Sequence, residues 1–162
     1  MIEKLAERVV RNIVEAYSVL KEVVGERVPD DVLVRVLGEV EHIAVHELAH
    51  GAVRAVYPEI DAVEDEDPVL GECVDEVLAR LLETLVSRRI GGFTHSFEEH
   101  VHELEHYTGL SNLNIKAEEL EELYEQVSKL VEEKNLKSAI EKVFSKCREW
   151  IREAQAPSSL GA

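Results

Sequence analysis

The chain has 162 residues, enough to bury a core, and its 34 acidic against 18 basic residues give a formal charge of −16 at pH 7. A surface of that sign repels a phosphate backbone, which excludes nucleic acid from the expected partners. No apolar run reaches the length of a membrane span, and Met1-Ile2-Glu3-Lys4 lacks the charged-then-apolar start of a signal peptide, so a cytoplasmic protein with no membrane partner is expected.

In chain order, Ile2, Leu5, Val9, Ile13, Ala16, Leu20 and Val23 fall on one side of a helix over 2–24, with Gly25 as its terminator. Asp30 or Asp31 caps a second helix that runs to Tyr57, where Pro58 ends it. The acidic run 58–67 reads as a solvated connector, and Asp67-Pro68 starts a third helix over 68–90 that Gly91-Gly92 stops. Its core stripe is Leu70, Val74, Val77, Leu78, Leu81 and Leu85, and Glu72, Glu76, Ala79 and Glu83 form the opposite, wet-looking stripe. Ser96 and Glu99 make a capping-box pattern for a fourth helix over 96–108. Two more amphipathic helices follow over 115–134 and 136–155, and 156–162 reads as a loose tail. No segment alternates with period two, so the expected fold is all-α, about six helices in a single domain over 1–155.

Cys73 and Cys147 are too few and too far apart for a Cys-x-x-Cys site or a disulfide scaffold, and two free thiols is the plain reading. Heavy use of Glu, Val, Leu and Arg with a single Met resembles a thermophile's composition, and in such a protein a Cys73–Cys147 disulfide is the alternative.

The second helix carries His46-Glu47-Leu48-Ala49-His50. Four residues apart, His46 and His50 share a helix face and can bind one Zn²⁺, while Glu47 can reach the open side of such an ion. Val45, Leu48, Ala49 and Ala52 are uncharged, which suits a helix buried around this polar triad. The competing reading is a core helix whose two histidines are satisfied by neighbouring carboxylates. His42 lies one turn earlier on the same stripe, and a catalytic zinc wants a third protein ligand, for which Glu72 and Glu76 are the candidates.

The run His46-Glu47-Leu48-Ala49-His50-Gly51, followed by Asp75-Glu76-Val77-Leu78-Ala79-Arg80, resembles the gluzincin class of zinc metallopeptidases. It is most similar to the minimal gluzincins and to the zinc-peptidase module of ImmA/IrrE-type regulators, over residues 42–84. The resemblance implies one Zn²⁺ per chain held by His46, His50 and Glu76, with Glu72 the alternative ligand, Glu47 as general base, and a peptide or protein substrate. Gluzincins usually also present a β-strand that pairs with an extended substrate, and no such strand is legible in this chain.

A second His-Glu-x-x-His stands at His102-Glu103-Leu104-Glu105-His106, flanked by Glu98 and Glu99. It reads as a solvated His/Glu helix, as a lid in which His102, His106 or Tyr107 steadies an oxyanion, or as a surface metal site. Two rival functions remain. Glu47/His50, Glu76 and Glu103/His106 follow the order of ligands in ferritin-like di-iron or di-manganese carboxylate proteins, although the first helix lacks an inward glutamate. A non-catalytic metal-binding helical module is the other, and the oligomeric state stays open.

Overall fold

The computed structural model describes residues 1–25 and 28–157. Every regular element among them is helical: α1 (Ile2–Val24), α2 (Asp30–Val56), α3 (Ile60–Glu66), α4 (Pro68–Ile90), α5 (Phe97–Leu104), α6 (Ala117–Glu132) and α7 (Leu136–Gln155). The fold is all-α, as expected, with seven helices in place of about six. The addition is α3, which occupies the acidic run that was expected to be a connector. Its charges are not simply solvated: Asp61 and Glu64 pair with Arg54, and Ile60 is fully buried. Most of the expected tail, from Ser158 on, lies outside the described residues. No helix is long and apolar enough to cross a membrane among the described residues.

The chain divides into two units, Met1–Glu41 and His42–Ala162. In the first, α1 is amphipathic but buries none of its residues, and Tyr17 and Lys21 both bond Asp30 Oδ1, at 2.8 and 2.9 Å.

The second unit is built around α4. Asp67 caps it by accepting from Leu70 N–H, Pro68 fills its first turn, and Gly91 ends it in the left-handed conformation that favours glycine. Val74, Val77, Leu78 and Leu81 meet residues of α6 and α7, among them Leu120, Val127, Val143 and Trp150, to form the core. Burying a Leu or Val side chain contributes roughly 1.5–3 kcal/mol, so this cluster dominates the unit's stability. A disulfide joins Cys73 on α4 to Cys147 on α7, Cα atoms 6.0 Å apart, where two free thiols were the plain expectation.

The opposite side of α4 is not wet. Glu76, Ala79 and Glu83 are buried there together with Asp75 and Arg80, because that face meets polar side chains of α2 and α5 instead of water. Periodicity records where polar residues lie, and a polar face can be internal when each charge has a partner.

At Gly71 α3 and α4 approach so closely that a Cβ there would run into the Glu64 backbone. Gly71→Ala is expected to cost about 1–3 kcal/mol by overpacking, read as a lower urea midpoint. An unchanged midpoint would mean that α3 moves aside freely.

Candidate metal centre

The part of α2 that begins at His42 lays its histidines along α4. His46 and His50 bring their Nε2 atoms to 3.0 Å, edge to face, and the Glu76 carboxylate closes the group, with Oε1 3.4 Å from His50 Nε2 and Oε2 3.6 Å from His46 Nε2. The three side chains are 11–12 % exposed, so the group is largely shielded from water.

The outer ring nitrogens decide what these atoms can do. His46 Nδ1 lies 2.9 Å from Glu83 Oε2, and His50 Nδ1 lies 2.9 Å from Asp75 Oδ1. A carboxylate oxygen accepts, so each ring donates its Nδ1–H and turns the Nε2 lone pair inward. Two ring lone pairs and two carboxylate oxygens then converge on one small space. Only a positive charge among them makes that favourable, either a proton or a cation. With no metal, a proton serves: Asp75 and then Glu76 raise the His50 pKa to about 9 against the effect of burial. For Glu76, burial favours the neutral acid, but bonds to His46 and His50 and the Arg80 charge prevail and hold its pKa well below the usual range. For His46, burial opposes the proton and bonds to Glu76 and Glu83 outweigh it, so its pKa is raised. A divalent ion taking two nitrogens and a carboxylate fits this donor set, and the carboxylate behind each imidazole is the usual support of a histidine ligand.

The surroundings hold the donors in place. Arg54 bonds Asp75 at 3.0 and 3.3 Å and reaches Asp61 of α3 at 3.1 Å, so α3 supports the carboxylate that orients His50. Arg80 bonds Glu76 Oε2 at 3.4 Å and Glu103 Oε2 at 2.5 Å. The Tyr107 phenol interacts with Glu76, and burial followed by that negative charge pushes its pKa up to about 12, so it keeps its proton and is a hydrogen-bond donor.

The remaining sequence candidates separate clearly. Glu47 is exposed on α2 and is not part of the group. Glu72 is one turn away, its carboxylate against Gly109, and does not join the cluster. His42 is buried, within 2.6 Å of the second Glu83 oxygen. His102 and His106 are exposed, and His106 Nδ1, just past the end of α5, bonds the His102 carbonyl. The second motif enters through Glu103 alone. The di-iron ordering does not assemble either, because Glu47 and His106 stay outside while Glu103 turns toward His42 and His95.

Asp75, Glu83, Arg80, His95 and His100 were missed by the sequence reading. Glu83 had one usable signal, since it sits two turns after Glu76 on the same face. His100 is fully buried. Thr84 donates its hydroxyl to the Arg80 carbonyl, so it accepts from His100 Nε2–H, and the imidazole stays neutral. Burial, reinforced by Arg80, depresses its pKa to about 3.

An unfolded His100 takes a proton near pH 6.5, and the folded one resists until about pH 3. Stability from this group is therefore present above pH 6.5 and is lost as pH falls from there toward 3, by about 1.4 kcal/mol per unit. His100→Gln, which keeps a donor for Thr84, is expected to lose roughly 2–3 kcal/mol less than the wild type between pH 6.5 and 4.5 in urea unfolding. Equal losses would place the acid sensitivity elsewhere. No family model, no curated protein and no solved structure matches the chain.

Proposed function

We propose that the chain is a zinc-dependent hydrolase, with peptide bonds as its substrate class. One observation carries the reading: His46, His50 and Glu76 converge from two helices, and each histidine is aimed by a carboxylate on its outer nitrogen. Three protein donors match a catalytic site rather than a closed structural one, which takes four. Two nitrogens and a carboxylate suit zinc among the common divalent ions. The choice of a peptide substrate rests on the resemblance of 46–51 and 75–80 to gluzincins.

When bound, zinc acidifies water and polarises a carbonyl. Glu47 takes a proton from the attacking water as its oxygen bonds the carbonyl carbon, and passes that proton to the nitrogen as the C–N bond breaks. The Tyr107 hydroxyl, beside Glu76, donates to the developing oxyanion. Arg80 keeps Glu76 ionised and oriented.

Glu47→Gln tests the reading. It is expected to bind zinc as the wild type does and to lose hydrolysis of a mixed peptide library by about 10²–10⁴-fold. Unchanged hydrolysis would remove Glu47 from the mechanism. Zinc binding without cleavage in the wild type would favour a non-catalytic metal module, a reading that the lack of a strand among the described residues also supports.

A further inference from the structure

Glu83 has a second oxygen, and it leads to a second cluster. Its Oε1 lies 2.6 Å from Nδ1 of His42, one turn before His46 on α2. His42 stacks on His95 with ring centroids 3.7 Å apart, and both rings meet Glu103 of α5. Glu103 Oε1 is 3.1 Å from His95 Nδ1 and 3.7 Å from His42 Nε2. We propose that His42, His95 and Glu103 form a second divalent-metal centre, coupled to the first through Glu83 and Arg80.

The two clusters are built alike. Each offers two imidazole nitrogens and one glutamate oxygen, all within 4.8 Å of one another. In each, one histidine sets an Nδ1 against Glu83: His46 on Oε2, His42 on Oε1. In each, Arg80 bonds one oxygen of the glutamate, Oε2 of Glu76 and Oε2 of Glu103. Glu83 is itself 1 % exposed, a charge buried between two rings. That placement is costly unless it serves both, and orienting two metal-ligating imidazoles is what a carboxylate behind a histidine does.

A separate observation points to a ligand here. His95 Nδ1 is a buried atom 3.1 Å from Glu103 Oε1, without hydrogen-bond geometry to it. A cation coordinated by His42 Nε2, His95 Nδ1 and Glu103 Oε1 gives these three converging atoms a shared partner. The donor set selects the zinc class of ion rather than calcium or magnesium, which prefer all-oxygen sites.

The centre differs from the di-iron arrangement in ligands and logic. No carboxylate bridges two ions here. Glu83 bridges two histidines, so filling one site fixes the rotamer on which the other depends.

The experiment is zinc titration of the full chain by calorimetry, with bound metal counted by native mass spectrometry and folding checked by circular dichroism. Two equivalents are expected for the wild type, and one each for His95→Ala and His46→Ala. His95 lies in the segment between α4 and α5, outside the core, so His95→Ala keeps the test open if Glu103→Gln fails to fold. Glu83→Gln is expected to weaken both equivalents by about 10–100-fold. A single equivalent in the wild type that His95→Ala leaves intact would overturn the second centre. A single equivalent lost in His95→Ala but kept in His46→Ala would uphold it and reject the first centre instead.

Discussion

Glu76→Ala is expected to weaken zinc binding at the His46–His50 centre by more than roughly 100-fold, whereas Glu72→Ala changes it by only a few-fold. Changing the partner behind a histidine ligand typically costs 10–100-fold, and removing one of three direct donors costs more. Both glutamates lie on α4 one turn apart, and only Glu76 places its oxygens within 3.4–3.6 Å of the two imidazoles. Burial and the neighbouring Glu76 and Glu64 raise the Glu72 pKa, which also makes it the poorer anionic donor. Competition against a chromophoric chelator reads the affinities directly. A larger loss in Glu72→Ala would show that the carboxylates exchange roles when metal enters.

The Cys73→Ala/Cys147→Ala double variant is expected to lose about 2–4 kcal/mol of unfolding free energy. The bridge spans 74 positions of sequence, and restricting an unfolded loop of that size is worth roughly 4 kcal/mol before native strain is subtracted. Both sulfurs sit in the fully buried core, where alanine adds a small cavity cost and serine would bury an unpaired hydroxyl. Urea unfolding with chelator present separates this from stabilisation by bound metal. Equal midpoints for the variant and the wild type would mean that α4 and α7 hold each other without the bond.

Helix punctuation was legible because it is local chemistry. Asp67-Pro68 and Gly91 delimit α4 at the expected residues, and α7 runs from Leu136 to Gln155 as its apolar stripe predicts. The histidine pair was legible for the same reason, since a spacing of four fixes a shared face. Glu76 came from resemblance, against the periodicity, which assigned it to a wet stripe. What stayed hidden depends on which helices meet. Whether Glu83 is solvated or set between His42 and His46 is decided by the packing of α2 on α4, and nothing local in α4 encodes that. His95 sits in an irregular segment with no period to read, and its place opposite His42 follows from the turn at Gly91 and the start of α5 at Ser96. The Cys73–Cys147 bond follows from the pairing of α4 with α7, which their distance along the chain does not reveal.

The most direct measurement is the zinc content of untagged, zinc-loaded and desalted protein, compared between the wild type and His46→Ala/His50→Ala. The geometry of the first centre predicts one equivalent fewer in the double variant, with its helical content unchanged. Equal zinc in the two proteins would contradict it and leave His46 and His50 as buried histidines satisfied by Glu83, Asp75 and a shared proton.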